Sequence, residues 1–151
     1  MKTGWEYPRY DLTWIGSDSA GKVAAFITGG EGPIPNGIFL SVADAALEGV
    51  LLELLPVVGS ADLSYEGNFD TLVELCERGI FVYDWSDVHR VEGLKRAYER
   101  YGSPTNPIHT SELPTYLKDL SIVVKFKELR FDEAPLVRPD VFYECRYPEW
   151  T

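Results

Sequence analysis

Apolar positions concentrate in two short runs near the start of the chain, at 12–16 and 22–28, both rich in β-branched and aromatic residues. The five residues between them, Ser17-Asp18-Ser19-Ala20-Gly21, are turn formers. This predicts a β-hairpin whose second strand puts Val23, Ala25 and Ile27 on one face and Ala24, Phe26 and Thr28 on the other. At 29–37 the sequence GGEGPIPNG, with four glycines and two prolines, excludes both helix and central strand and reads as a loop. The period then changes. Ser41 and Asp44 make the S-x-x-D arrangement of a capping box. Behind it Ala43, Leu47, Val50, Leu51 and Leu54 recur at helical spacing, and Ala46, Leu52 and Leu55 widen the stripe until Pro56 ends it. The spacing predicts a mostly buried helix over 41–55, with Asp44 and Glu48 on its narrow polar edge.

Residues 56–68 read as a loop holding at most a short strand or turn. A second helix is expected over 69–78 from Phe69, Leu72, Val73, Leu75 and Cys76, with Gly79 as its left-handed C-cap. Asp70, Glu74 and Glu77 lie on its outer side. Residues 80–85 alternate as a strand does, and 96–101 is read as a strand pairing with it, although 94–100 also fits a short helix. A loop at 103–107, a short helix over 111–119 that accommodates Pro114 in its first turn, a strand over 121–129 and an edge strand within 141–147 complete the reading. Strands, then two helices, then strands again define an α+β fold. Its sheet is mostly antiparallel, with an N-terminal hairpin and two to three helices packed on one face.

At 151 residues the chain is long enough to bury roughly 70% of its unfolded surface, which suits one globular domain spanning 1–151 without disulfide or metal support. Charge changes the picture more than size does. The net charge is −10, and its distribution is uneven. Between Val23 and Glu77 there is no Lys, Arg or His, whereas Glu31, Asp44, Glu48, Glu53, Asp62, Glu66, Asp70, Glu74 and Glu77 contribute −9; the remainder of the chain is close to neutral. Such a balance argues against nucleic acid and anionic membrane surfaces as partners, because both need Lys and Arg. It favours a cationic partner, whose encounter the field would speed and orient. The first residues lack the apolar stretch of a signal peptide, so a soluble cytoplasmic protein is expected.

Candidate catalytic groups are sparse. GGEGPIPNG precedes a helix but has neither phosphate-loop spacing, and Glu31 sits inside it. His89 and His109 are the two imidazoles available for acid–base chemistry, each in an irregular segment. Asp84 and Asp87 flank Trp85, yet close carboxylate pairs arise by chance among 24 acids. Cys76 falls on an apolar helix stripe, where a thiol packs as a small hydrophobe. Cys76 and Cys145 form no metal-ligand spacing with either histidine, and no cofactor is expected. The distinctive feature is the stretch without bases, where carboxylates are interleaved with aromatics: Tyr65 lies between Asp62 and Glu66, and Phe69 precedes Asp70. Such interleaving supplies anchors beside charge complementarity, while the competing reading is an acidic surface that confers solubility.

The segment TWIGSDSAGKVAAFITGGEGPIPNG, followed later by GIFVYDW, resembles immunity proteins of bacterial polymorphic toxin and contact-dependent growth inhibition systems. The residues that carry the resemblance are Trp14, Asp18, Gly21, Val23, Phe26, the loop at 29–35 and the strand at 81–84. The resemblance implies a nonenzymatic inhibitor of a cognate toxin domain, and many such toxins are basic nucleases. With the charge distribution it leads to an expected partner-binding set of Glu31, Asp44, Glu48, Asp62, Tyr65, Glu66 and Asp70, extended by Asp84, Trp85 and Asp87. Two alternatives stay open: a small hydrolase or nuclease using His89 or His109, and a nonenzymatic adaptor for another basic protein.

Overall fold

A computed structural model describes residues 5–6, 12–29, 32–35, 47–63, 70–86 and 97–138. The strands are β1 (Trp5–Glu6), β2 (Thr13–Ser17), β3 (Val23–Ile27), β4 (Ile34–Pro35), β5 (Ala61–Leu63), β6 (Phe81–Ser86), β7 (Ala97–Pro104) and β8 (Leu136–Val137). The helices are α1 (Leu47–Leu54), α2 (Asp70–Glu77) and α3 (Thr115–Ser121), and a 3-10 turn covers Thr110–Glu112. The fold is α+β. The main sheet runs β2-β3-β6-β7-β5 with β8 also on β7, and β1 pairs separately with β4. Every ladder is antiparallel except β3–β6. That pair can be parallel because the chain between its strands is long enough to cross over, and it carries α1, β5 and α2 on the way.

The hairpin forms as the pattern predicts, with Thr13 opposite Ile27 and Ser17 opposite Val23. Its turn closes through Gly21 N–H to the Asp18 carbonyl at 3.0 Å, and Gly21 takes φ +79°, a conformation that costs other residues about 1–2 kcal/mol. Strand alternation then divides the interior into two cores. Val23, Ala25 and Ile27 join Ile15, Val82 and Tyr101 in an aliphatic core. Against it lie Leu47 and Leu51 of α1, Leu72, Leu75 and Cys76 of α2, and Leu117 and Leu120 of α3, so all three helices cover one face. Ala24 and Phe26 join Trp14, Phe81, Tyr83, Trp85 and Tyr98 in an aromatic core on the opposite face. There Phe26 stacks on Trp14 with centroids 4.1 Å apart and on Tyr83 at 5.2 Å.

The aromatic face is covered by the chain after α3, through Val124, Phe126, Phe131 and Val137. Asp18 ties this cover to the hairpin: one carboxylate oxygen accepts from the N–H groups of Ala20 and Lys22, and the other from Phe131 N–H at 2.9 Å.

Several elements differ from the expectation. Within the helix expected over 41–55, residues 41–46 lie outside the described residues, and Leu54 is 46% exposed although it falls on the apolar stripe. At about 100° per residue, Leu47, Leu51 and Leu55 form the buried arc and Leu54 sits on its flank in the last turn. In place of one helix over 111–119 there is the 3-10 turn, an extended Leu113 and then α3, with Pro114 as its N-cap. The pyrrolidine ring disfavours helical backbone at the residue before it. The strand expected over 121–129 is absent: α3 continues to Ser121, and beyond it Lys125 and Phe126 make isolated bridges, that of Lys125 being to Ser17 of β2. Two hydrogen bonds satisfy that short exchange, Ser17 N–H to the Val124 carbonyl and Phe126 N–H to the Ser17 carbonyl. Strand β7 extends through residues expected to be loop, giving β6 and β5 a common partner. The edge strand expected within 141–147 lies outside the described residues.

Candidate partner-binding surface

Six of the nine acids between Val23 and Glu77 are described, and none is buried. Glu53, Asp62 and Asp70 are exposed, while Glu48, Glu74 and Glu77 are half-buried. They come from α1, β5 and α2, and α2 packs against both of the others. The fold does not gather them onto a single face. Ala61 packs toward the aliphatic core, so alternation along β5 turns Asp62 to the side of the sheet away from α2, which carries Asp70, Glu74 and Glu77. Arg78, the first base after the acidic stretch, directs its guanidinium at backbone: Nε donates to the Leu55 carbonyl at 3.0 Å and another nitrogen to the Glu74 carbonyl at 2.9 Å.

Glu48 and Asp84 belong to a second acidic group, at one end of the helix-covered face. Thr13, Ile27, Asp84 and Glu99 are successive partners in one row across β2, β3, β6 and β7. Above the end of that row, Glu48 of α1 accepts a hydrogen bond from the Thr13 hydroxyl at 3.3 Å. Glu99 is absent from the expected set, since the opposition of Asp84 and Glu99 depends on strand register. Trp85 is placed differently from the expectation. It is 8% exposed and meets Tyr98 edge-on at 5.1 Å, so it fills the aromatic core instead of standing out as an anchor. Its position alternates with Asp84, which is why neighbouring residues serve opposite faces. Glu31, Asp44, Tyr65, Glu66, Asp87 and His89 lie outside the described residues.

Apolar side chains are exposed elsewhere in the acidic stretch. Leu54, Val57, Val58 and Leu63 are 46%, 59%, 40% and 39% exposed, all within the acidic stretch. The chain that carries them is held along its backbone. Val58 and Gly59 N–H groups donate to the Glu77 carbonyl, the Asn106 amide donates to the Val58 carbonyl at 2.7 Å, and Ser60 and Thr105 exchange hydrogen bonds. Two valines following Pro56 in a predicted loop were the legible signal, because apolar residues in a loop have no helix or strand stripe to join.

Of the histidines and cysteines considered for catalysis, His109 and Cys76 are described, and both are held within the fold. His109 caps the 3-10 turn: Nδ1 accepts from Ser111 N–H at 3.0 Å, and Glu112 reaches back to the His109 N–H at 2.7 Å. Its ring lies over Gly21, where an added Cβ would collide with the imidazole. Cys76 is buried, and burial, reinforced by neighbouring Glu77, pushes its thiol up to about 12. Among the described residues no group of three or more His, Cys, Asp or Glu is arranged to hold a metal ion, and no helix is long and apolar enough to cross a membrane. No protein-family model matches the chain, and neither the curated proteins nor the solved structures compared with it show a match.

Proposed function

We propose that this protein is a cytoplasmic immunity protein, a nonenzymatic inhibitor that binds a basic toxin domain, most simply a nuclease, and blocks its phosphate-attracting surface. The observation that carries the reading is the accessibility of the acidic stretch: every described carboxylate between Val23 and Glu77 reaches solvent, and the first base beyond it is turned toward backbone carbonyls. A nuclease site is built to attract polyanions, so carboxylates displayed in this way can occupy or cover it. The sequence resemblance to immunity proteins points the same way. Steering by the field accounts for fast association, and apolar anchors beside the carboxylates account for slow dissociation.

The test is binding and inhibition of the toxin domain encoded by the neighbouring gene. Purified protein is expected to capture that domain and abolish its nuclease activity at equimolar ratio. The triple variant Glu53→Lys/Asp62→Lys/Asp70→Lys is expected to slow association about ten- to a hundredfold at low ionic strength, with the difference shrinking as salt rises. An unchanged association rate at low salt removes this surface from the interface. Tight binding that leaves the nuclease active favours the adaptor reading instead.

A further inference from the structure

Residues 124–137 cross the aromatic face as a strap with little secondary structure of its own. The strap gives Val124, Phe126, Phe131 and Val137 to the aromatic core and no residue to the aliphatic one. The sheet path β2-β3-β6-β7-β5 does not run through it; it meets β2 at the Lys125–Ser17 bridge and β7 through the two residues of β8. Side chains from the hairpin turn and the sheet hold the stretch between. Tyr83 OH donates to the Ala134 carbonyl at 2.6 Å and to the Phe131 carbonyl at 3.2 Å, which also accepts from the Arg100 guanidinium. Asp18 accepts from Phe131 N–H at 2.9 Å. Irregular backbone has no ladder to satisfy its polar groups, so these three side chains do that work.

We propose that the strap is a cover that opens as one unit while the sheet and helices stay folded, with Tyr83, Arg100 and Asp18 as its latches. Opening separates Phe126 and Phe131 from Phe26, Phe81 and Tyr83, whose ring centroids lie 5.6–6.0 Å away. It also breaks the main-chain bonds from Ser17 N–H to Val124, from Phe126 N–H to Ser17, from Ser19 N–H to Leu129 and from Arg100 N–H to Pro135. What remains is coherent. The aliphatic core keeps all three helices, and Phe26 still stacks on Trp14 and Tyr83. A segment whose departure leaves a complete core behind opens at a lower free energy than the whole domain. The open form bares the rings of Phe26, Phe81 and Tyr83, an aromatic surface that the closed form hides. This device is independent of the acidic stretch and of the immunity reading.

The experiment is native-state amide hydrogen exchange on the full chain, read by NMR at increasing low concentrations of urea. Five amides report the strap, because their bonds cross its boundary: Ser17, Ser19, Arg100, Phe126 and Phe131. The amides of Ala25 and Phe26, in the central strand β3, report the sheet. The five are expected to share one opening constant, to exchange faster than the β3 pair and to respond less steeply to urea, since opening exposes less surface than unfolding. Ile80→Val, a mild change in the aliphatic core, is expected to speed the β3 amides about fivefold and leave the five unchanged, because that core is intact in the open form. Tyr83→Phe removes a latch from the closed form alone and is expected to speed both groups about tenfold. Five unrelated rates would show that the strap is not a unit. A urea slope equal to that of β3, or a fivefold response of the five amides to Ile80→Val, would mean that the strap opens only with the whole domain; either result overturns the proposal. No acceleration in Tyr83→Phe removes Tyr83 as a latch and overturns it as well.

Discussion

Replacing Asp18 by Ala is expected to be among the most damaging single changes outside the aromatic core. The side chain is 1% exposed and joins segments 113 residues apart in sequence, accepting from Ala20 N–H at 3.0 Å, Lys22 N–H at 2.8 Å and Phe131 N–H at 2.9 Å. Ala20 lies at an exposed turn tip and Lys22 is half-buried, so water takes over part of their bonding once the carboxylate is gone. Phe131 is fully buried, and its N–H is left without an acceptor, at a cost of about 1–3 kcal/mol. Adding about 1 kcal/mol for each turn bond gives a loss of about 4 kcal/mol for Asp18→Ala. Asp18→Asn keeps one oxygen for the turn but sets an amide donor against Phe131 N–H, so it should lose about 2 kcal/mol. Urea unfolding followed by tryptophan fluorescence checks both values. With a slope of about 2 kcal/mol per molar urea, the midpoints should fall by about 2 M and about 1 M. A loss below about 1 kcal/mol for Asp18→Ala would refute the reasoning, because it would mean that Phe131 N–H finds another acceptor or reaches water.

Phe26→Ala should cost about 4–5 kcal/mol in the same assay, since the ring meets Trp14, Tyr83, Tyr98, Phe126 and Phe131 with centroids between 4.1 and 6.0 Å away. Gly21→Ala should lose about 2 kcal/mol or more, from a φ of +79° and from collision with the His109 ring. His109→Ala alone should lose about 1 kcal/mol of capping, and the double variant should lose less than the sum, because removing the ring clears the collision. Cys76 should not react with a disulfide reagent at mildly alkaline pH until the protein unfolds, its thiol being held near 12 by burial and then by Glu77. The folded state keeps that proton where the unfolded state releases it, so stability should fall as pH climbs from 9.0 toward 12. Cys76→Ala should flatten the decline, leaving the part due to the Tyr83 phenol, which burial also pushes upward.

Local pattern carried much of the fold. The turn formers at 17–21 between two β-branched and aromatic runs placed the hairpin, and the assignment of Val23, Ala25 and Ile27 to one face and Ala24 and Phe26 to the other holds residue by residue, because successive strand side chains must face opposite ways. Gly79 ends α2 at φ +91° as a left-handed cap should. The misread segments are those where a partner outside the segment decides the outcome. Val124 and Phe126 point into the core as strand alternation requires, yet no strand forms there: Lys125 bridges Ser17 of β2 in isolation. Tyr98 and Trp85 become core because a peripheral chain segment seals the aromatic face, an event far from them in sequence.

For the binding surface the division follows the same line. Charge is additive along a chain, so the acidic stretch from Val23 to Glu77 and the class of partner it favours can be read without coordinates. Orientation is not additive. The turn of Asp62 away from α2, the opposition of Asp84 and Glu99, the burial of Trp85 and the exposure of Leu54 all follow from strand register and from which helix face finds a neighbour. Those are relations between distant residues that only packing in three dimensions brings about.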